Sequence, residues 1–317
     1  MPESFYHNFR DGLVNTIIKT APEPLARFNN ARLGFPRRVY HGGGGIGDDL
    51  LCTTVFRELK KRGESRIVVR SRYRSLFQNN PDVEIVIRKK IPIVASLMVH
   101  GLNLFQLTYH VPLAEHFLAG MCRAAGISGE VALRPYIFLR PDEVAAGRLF
   151  DRQIVIQSAG IGSARPMKNK EWYPERFQEV ASRLQGKASL IQLGSRLDPP
   201  LKGVLDLRDK TSLRQAAAIL ANSLIFVGQV GFLMHLARAV DCRSAIVYGG
   251  RETPDKTGYI ANKNLVGPTP CSPCWEENKC DFDRQCMKMI SVEAVVSAAI
   301  EQIERHGSPL EIETISL

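Results

Sequence analysis

The sequence has no apolar run long enough to suggest a membrane-spanning helix. Its longest stretch without a charged side chain extends from Ile91 to Ala114 and is interrupted by Pro92, His100, Asn103, Gln106, His110 and Pro112. A bilayer offers no partners for such polar groups, so we expect a buried segment instead. The start of the chain also lacks the basic, then apolar, pattern and cleavage site of a secretory signal. We therefore expect a cytoplasmic protein whose thiols stay reduced.

Compositional bias is absent as well. With 44% hydrophobic residues, 18 prolines and 25 glycines among 317 residues, the composition is globular, which excludes wholesale disorder, collagen-like repeats and coiled coils. The length favours two domains, each large enough to bury a core. Acidic residues number 32 against 42 basic ones, and most of the net charge of +10 lies in residues 1–150. We expect this half to meet an anionic partner.

From Arg37 onward the apolar pattern alternates between strands and helices. A strand end, a glycine-rich turn and a helix occupy residues 37–63, followed by a strand at 66–70 and another after the Asn-Asn-Pro turn. The same order begins again at residue 153. It continues with strands at 188–194, 223–228 and 244–250, and with helices that begin near Pro174, after a cap at Thr211 or Ser212, and at Phe232. The sequence thus predicts an α/β fold with two doubly wound parallel sheets, joined within residues 140–152.

This pattern divides the chain into four parts. Residues 1–35 have the spacing of a basic amphipathic helix broken at Pro22 and Pro24, which would suit an anionic membrane surface or would pack on the domain or a partner subunit. Two Rossmann-like domains follow, at 36–148 and 149–290. The final helical part, 291–317, closes one domain or crosses back to the other.

The glycine-rich turn GGGGIGD (42–48) lacks the residues that define a nucleotide-binding loop. No Lys-Ser or Lys-Thr pair follows it, and no acidic residue ends a strand about 20 residues later, so neither a Walker loop nor a dinucleotide fold is favoured. Its bare backbone can approach a ligand closely, with Asp48 beside it at the start of the predicted helix. The helix dipole favours the ionised carboxylate, which either accepts a proton from a hydroxyl group or caps the helix.

Six sequence blocks occur in an order that points to a known family. They are GIGDDLLCTTVFRELKKRG, VVRSRYRSLFQNNPDVEIVI, KEWYPERFQEVASRL, FVGQVGFLMHLARAV, YGGRETPDKTGY and CSPCWEENKCDFDRQCM. Together they resemble glycosyltransferase family 9, the heptosyltransferases of lipopolysaccharide core assembly and their relatives. The likeness covers about residues 37–305 and rests on the ordered series, since no single block is specific.

The resemblance implies a GT-B architecture, in which two Rossmann-like domains face each other across a cleft and the C-terminal one holds a nucleotide-sugar donor. Family members usually use ADP-heptose and invert the anomeric carbon, and they need no metal or other cofactor for the transfer. The implied function is transfer of a heptose-like sugar to an anionic glycan acceptor such as bacterial lipopolysaccharide inner core. The enzyme would be cytoplasmic or peripheral at the inner membrane.

The resemblance also implies roles for individual residues. Asp48 matches the family's acid and would be the catalytic base, with Asp49 as a competing carboxylate that is better read as a helix cap. Lys170 stands in the Lys-x-Trp position and would neutralise charge on the departing diphosphate, with Arg165 as a substitute in the same loop. The other candidates are Ser158, Gly160, Lys168, Gly231 and His235 for the donor, and Gly45, Gly47, Arg70 and Arg72 for the acceptor.

Two positions before the predicted helix at residue 232 depart from the family pattern. Gln229 and Val230 stand where some members have an acid and a small hydroxyl residue, and Gly231-Phe232 only partly matches a two-glycine version. The donor contacts at these positions therefore stay open. His235 is either a cleft residue or a core histidine bonded to a carbonyl group.

Four cysteines share one loop with the spacing C-x2-C-x5-C-x5-C: Cys271, Cys274, Cys280 and Cys286. The loop is poor in apolar residues, so four thiolates around a structural Zn or Fe ion would order it. Free thiols or disulfides are the alternatives. A metal ion in this loop would have a structural role and would take no part in catalysis. The other three cysteines fit small core positions.

Two other functions stay open on the sequence alone. The same fold would serve a protein O-glycosyltransferase acting on a bacterial surface protein, which the cysteine loop and the N-terminal helix would suit. The net charge of +10 also suggests a nucleic-acid-binding protein as an alternative. Because the arginines are not interleaved with exposed aromatic residues and no recognition motif is present, we expect no nucleic-acid partner.

Overall fold

The computed structural model describes residues 38–64, 66–88, 104–107 and 113–317. The helical extension predicted for residues 1–35 and most of the uncharged stretch from Ile91 to Ala114 lie outside these residues. Within the described residues, no helix combines the length and the apolar character needed to cross a membrane.

A four-stranded parallel sheet forms the first half. Its strands are β1 (Val39–His41), β2 (Val68–Ser71), β3 (Ile85–Arg88) and β4 (Leu104–Gln106), in the order β3-β2-β1-β4. The glycine turn after β1 leads into helix α1 (Ile46–Lys61), which has acidic residues in its first turn and basic residues in its last, as the helix dipole favours. Gly43 and Gly44 have φ angles of 79° and 117°, so this turn requires glycine.

A six-stranded parallel sheet forms the second half. Its strands are β6 (Gln153–Ile156), β7 (Ser189–Gln192), β8 (Leu205–Asp206), β9 (Ile225–Gln229), β10 (Ser244–Gly249) and β11 (Lys263–Val266), in the order β11-β10-β9-β6-β7-β8. Counted from β6, this is the 3-2-1-4-5-6 order of a Rossmann fold. The order reverses between β6 and β9, where open parallel sheets bind ligands in the crevice beyond the strand ends.

Helices cover these sheets and connect them. They are α2 (Phe117–Ala124), α3 (Pro141–Ala146), α4 (Pro174–Leu184), α5 (Leu213–Ala221), α6 (Phe232–Ala239), α7 (Pro254–Thr257), α8 (Gln285–Lys288) and α9 (Val292–Glu304), with 3₁₀ turns at Arg74–Phe77 and Lys168–Lys170. Pro174 opens α4, and the hydroxyls of Ser212 and Ser291 accept amide hydrogen bonds at the starts of α5 and α9.

The chain returns from the second half to the first near its end. Strand β12 (Thr314–Ser316) pairs antiparallel with β5 (Glu130–Ala132), and the Leu133 amide donates to the Glu313 carbonyl at 2.8 Å. Arg238, which is 1% exposed, donates to the Glu311 carbonyl at 3.1 Å and thereby ties this returning segment to α6.

A buried arginine also joins the two halves. Arg214 on α5 forms a two-pronged ion pair with Glu143 of α3, with N–O distances of 2.6 and 2.5 Å. The same guanidinium donates to the carbonyls of Ser75, Gln78 and Phe138, so five hydrogen bonds converge on one side chain that is 6% exposed. The largest core cluster likewise contains side chains from both sheets.

The predicted α/β fold with two parallel sheets is confirmed. Residues 140–152, where the sequence pattern places the join between the halves, contain helix α3, which the pattern did not identify. This short helix begins at Pro141, and the Glu143 carboxylate accepts a hydrogen bond from the Arg140 amide at its start. The division into four parts stays a prediction.

Candidate active site between the two sheets

Two adjoining cavities are lined by residues from both halves. The larger, about 410 Å³, lies beyond the ends of β6, β7 and β9 and is also lined by Ile46 of α1. The smaller, about 210 Å³, is lined by Leu51 and Phe117 from the first half and by residues around the end of β10 from the second. The residues common to both linings are Arg165, Met167, Lys170 and Val230.

The first turn of α1 faces the second half beside these cavities. A Cβ atom at Gly47 would lie 4.0 Å from the His235 ring, so this turn packs closely against α6. The Asp48 carboxylate lies over Gly45, where a Cβ would come within 2.6 Å of its Oδ2 atom. A side chain at Gly45 would therefore displace the carboxylate that the sequence marks as a base.

The neighbouring Asp49 has a different environment. It is 3% exposed, and its Oδ2 accepts a hydrogen bond from the Ser71 hydroxyl at the end of β2. A Cβ at Gly42 would lie 2.8 Å from its other carboxylate oxygen, so the glycine turn leaves just enough room for this buried acid. Asp49 thus has a structural role that joins α1 to the first sheet.

Lys170 lies at the border of the two cavities. Its Nζ atom is 2.5 Å from Glu252 Oε1, and the two side chains are 21% and 5% exposed. Arg251 Nη1 lies 3.6 Å from the other Glu252 oxygen. The buried Glu252 carboxylate therefore sits between two cations and fixes the lysine ammonium. Sequence reasoning missed Glu252, although it follows the carboxyl end of β10, where ligand-binding residues of parallel sheets lie.

His235 lines the smaller cavity as a neutral side chain. Its Nδ1 atom is hydrogen-bonded to the Tyr259 hydroxyl at 2.8 Å. Burial, with smaller effects of the charges on Lys170 and His116, lowers the pKa of His235 to about 3. His235 is thus a buried histidine that also forms part of the cavity wall, and its partner is a tyrosine hydroxyl and not the carbonyl group expected for a core histidine. Its predicted role in donor binding stays a prediction.

The amide groups of the loop after β6 are hydrogen-bonded to carboxylates of the protein itself. The Gly160 amide donates to both Glu171 carboxylate oxygens at 3.0 Å, and the Ile161 amide donates to Asp198 Oδ1 at 3.0 Å. Burial raises the pKa of Glu171 and of Asp198. Phosphate oxygens could accept hydrogen bonds from these amide groups only by displacing the two carboxylates. Other groups around the larger cavity must therefore stabilise the negative charge of a bound phosphate.

The N-terminus of α6 opens onto the larger cavity. A Cβ at Gly231 would meet no atom within 4 Å, and Gly231, Phe232 and Leu233 all line this cavity. The first amide groups of a helix have no partners within it, and the helix dipole favours an anion there. Gln229, which departs from the family pattern, accepts a hydrogen bond from the Trp172 amide at 3.2 Å and so stabilises the loop that carries Lys170.

The remaining predicted residues lie outside the cavity linings. Ser158 is fully buried, and its hydroxyl donates to the Pro199 carbonyl at 2.6 Å. Lys168 is exposed in the same 3₁₀ turn as Lys170. Arg70 is half-buried in β2, one residue before its end, and Arg72 is exposed just after the strand, at the same edge of the first sheet as the glycine turn. The roles assigned to these four residues stay predictions.

The cysteine loop forms part of the wall of the smaller cavity through Trp275 and Glu277. All seven cysteines are free thiols, and Cys52, Cys122 and Cys242 are buried, as the sequence predicts. In the part of the chain described here, no three or more His, Cys, Asp or Glu residues are grouped to hold a metal ion. Cys271 is exposed and contacts the Thr269 hydroxyl at 3.4 Å, so the predicted four-thiolate set is not assembled.

Hydrogen bonds to neighbouring segments hold the cysteine loop in place. The Asn169 side chain donates to the carbonyls of Glu276 and Lys279 at 3.1 and 2.8 Å. The Cys274 amide donates to the Gly250 carbonyl at 3.2 Å. Burial, with smaller contributions from Cys274 and Cys280, raises the pKa of the Cys286 thiol.

Comparisons with known proteins confirm the resemblance that the sequence indicates. The family model for glycosyltransferase family 9 (heptosyltransferase) matches residues 146–283. No curated protein matches the sequence.

Solved structures share the fold. A glycosyl transferase family 9 protein from Veillonella parvula has a TM-score of 0.65 at 16% identity, over 84% of this chain and 97% of that one. ADP-heptose lipopolysaccharide heptosyltransferase II of Escherichia coli has a TM-score of 0.66 at 15% identity, over 84% and 98%. The iron-containing dodecameric glycosyltransferase TibC of enterotoxigenic E. coli has a TM-score of 0.65 at 15% identity, over 84% and 75%.

Proposed function

We propose that the protein is a glycosyltransferase that takes its sugar from a nucleoside diphosphate donor. The observation that carries this proposal is the Lys170 ammonium, which Glu252 holds at the border of two cavities beside the N-terminus of α6. A departing diphosphate gains negative charge, and a fixed cation together with helix amide groups stabilises that charge. A volume of about 410 Å³ falls within the range of small-molecule sites.

Asp48 is the general base in this proposal. The acceptor hydroxyl must lose a proton as it attacks the anomeric carbon, and a carboxylate in the first turn of a helix stays ionised to accept it. The low pKa of His235 supports this role. Because the imidazole beside Gly47 is neutral, it does not form an ion pair with the Asp48 carboxylate, which stays available to accept the hydroxyl proton. Attack on the face opposite the leaving group inverts the anomeric centre.

The donor is ADP-heptose and the acceptor is an anionic glycan such as lipopolysaccharide inner core. The match of residues 146–283 to the heptosyltransferase family supports heptose, and the basic first half supports an anionic acceptor that meets Gly45, Gly47, Arg70 and Arg72. The reaction takes place in the cytoplasm or at the inner membrane surface.

Thermal unfolding in the presence of ADP-, UDP-, GDP- and CDP-sugars tests the donor. A ligand at 100 times its dissociation constant stabilises the folded protein by about 2.7 kcal/mol. We expect ADP-heptose to raise the melting temperature and the other three donor classes to have smaller effects. A melting temperature that none of the four donors changes would contradict the proposed function.

Removal of the Lys170 charge should weaken nucleotide binding. We expect Lys170→Ala to reduce ADP affinity about tenfold to a hundredfold, because a hydrogen bond to a charged group contributes about 1.5–3 kcal/mol. Titration calorimetry with ADP measures the change. Lys187→Ala is the matched comparison, since Lys187 is exposed and lines neither cavity. Equal losses in both variants would argue for a general charge effect over the role assigned to Lys170.

A structural metal in the cysteine loop stays a prediction of the sequence. If the four thiolates close around Zn or Fe in solution, the purified protein should contain about one metal ion per chain, and Cys271→Ser should lower that content. Elemental analysis of protein purified without chelators decides this. Metal at well below one equivalent in the unmodified protein would mean that hydrogen bonds alone order the loop.

A further inference from the structure

The short 3₁₀ turn that carries Lys170 is attached to the cysteine loop by its middle residue, Asn169, which is 5% exposed. The Asn169 backbone amide donates to the Glu277 carbonyl at 2.9 Å. Its side-chain amide donates to the carbonyls of Glu276 and Lys279 at 3.1 and 2.8 Å. One buried residue, directly before Lys170 in the chain, thus forms three hydrogen bonds to one short stretch of the cysteine loop.

A second attachment holds the two ends of the same turn. The Arg284 guanidinium, from the far end of the cysteine loop, donates to the carbonyls of Lys168 and Glu171 at 3.3 and 2.7 Å. These two residues stand on either side of Asn169 and Lys170 in the chain. The backbone before and after Lys170 is therefore fastened to the cysteine loop, which limits where the lysine side chain begins.

The same stretch of the cysteine loop is also attached to the element that carries Glu252. The Trp275 amide donates to the carbonyl of Arg251, the residue before Glu252, at 2.9 Å. Strand β9 separates β6 from β10, so the ends of these two strands lie about 10 Å apart, at two strand spacings. Residues 275–279 bridge this gap, and they therefore join the elements on which Lys170 and Glu252 meet.

We propose that Asn169 and Arg284 are positioning residues, which hold the Lys170 ammonium where it contacts a nucleoside diphosphate. This inference rests on the proposed function. A lysine has a flexible four-carbon stem, so its ammonium keeps one place only if both the backbone and the charged end are held. Glu252 holds the charged end, and the two attachments to the cysteine loop hold the backbone. The ammonium has three N–H donors, so the ion pair with one carboxylate oxygen leaves donors for a phosphate.

The test is a cycle of ADP affinities, measured by titration calorimetry on the full chain. We expect Asn169→Ala to lower the ADP affinity about three- to tenfold, which is less than the effect of Lys170→Ala, because the ammonium is displaced and not removed. Lys170→Ala removes the group through which Asn169 acts. In the double variant we therefore expect the same ADP affinity as in Lys170→Ala alone.

Asn222→Ala is the matched control. The Asn222 side-chain amide also donates to two carbonyls, those of Val144 and Ala218, at 2.7 and 2.9 Å, and Asn222 lines neither cavity. Its substitution breaks the same number of side-chain hydrogen bonds as Asn169→Ala but leaves the attachment of the Lys170 turn intact. We expect this control to lower the melting temperature and to leave the ADP affinity unchanged.

The outcomes separate this inference from the proposed function. If the unmodified protein does not bind ADP, the proposed function fails. If it binds ADP and Asn169→Ala keeps the full affinity, the inference is overturned while nucleotide binding stands. A loss of the same factor with and without Lys170 would show that Asn169 only supports the fold, and would also overturn the inference. Arg284→Met, which removes the second attachment, supplies the same cycle if Asn169→Ala does not fold.

Discussion

Asp48→Asn should lower the rate of sugar transfer about 10²–10⁴-fold, the contribution of a positioned general base. The substitution keeps the size of the side chain and its place over Gly45 but removes the group that accepts the hydroxyl proton. ADP affinity should stay nearly unchanged, because Asp48 lies beside the larger cavity without lining it. Steady-state turnover with ADP-heptose, combined with ADP titration, measures both quantities.

Asp49→Asn is the matched control for this experiment. Asp49 is buried and bonded to Ser71, so we expect its substitution to reduce stability through a weaker hydrogen bond and to leave turnover close to normal. If Asp49→Asn stops transfer while Asp48→Asn does not, the base is the neighbouring acid and the assignment made here is wrong.

Arg214→Met should lower the free energy of unfolding by about 1–3 kcal/mol, the cost of leaving hydrogen-bond acceptors without their buried donor. The cost does not reach that of a fully buried ion pair, because the Glu143 side chain is 18% exposed and water can solvate it. The substitution leaves the Glu143 carboxylate and the carbonyls of Ser75, Gln78 and Phe138 without their common donor. Urea denaturation measures the change.

Arg183→Met provides the control for Arg214→Met. Arg183 pairs with Glu293 at 2.9 Å on the surface, where the side chains are 40% and 65% exposed. Exposed pairs contribute about 0–1 kcal/mol, so this loss should be several times smaller. Equal effects of the two substitutions would mean that Arg214 does not hold the two halves together.

The same ion pair predicts how stability depends on pH. The hydrogen bond from Arg214 lowers the pKa of Glu143 from 4.5 to about 2. A carboxyl group with a lowered pKa in the folded state contributes stability that is complete above its unfolded pKa and is lost as the pH falls. This contribution should therefore disappear between about pH 4.5 and pH 2, and Glu143→Gln should flatten the pH dependence of unfolding over that interval.

Sequence patterns located the elements whose signals are local. Helices α4, α5 and α6 begin within one residue of the predicted Pro174, Ser212 and Phe232. The signals for a helix start, such as a proline, a capping hydroxyl group or the spacing of apolar residues, all lie within one helical turn and are therefore visible in the sequence. Strands β5 and β12 were not predicted. Each has three residues, and they pair across more than 170 intervening positions, which no local pattern records.

Cavity-lining residues were predicted where they belong to a sequence motif. They were missed where only tertiary contacts bring them to the cavities. Lys170, Gly231 and His235 do line the cavities, but Ser158 does not, since its hydroxyl is turned to the Pro199 carbonyl. The partnership of Glu252 with Lys170 joins residues that are 82 positions apart. No spacing rule connects them, because the fold alone brings the end of β10 to the loop after β6.

The return of the chain through β12 gives the two halves a second covalent connection. One crossing lies between β5 and β6, and the other lies between α9 and β12. The Leu133 amide bonds to the Glu313 carbonyl, which brings the beginning of one crossing next to the end of the other. The second sheet can therefore rotate against the first, with both connections intact, only about an axis near this junction. Such a rotation would displace the junction least and the elements farthest from it most.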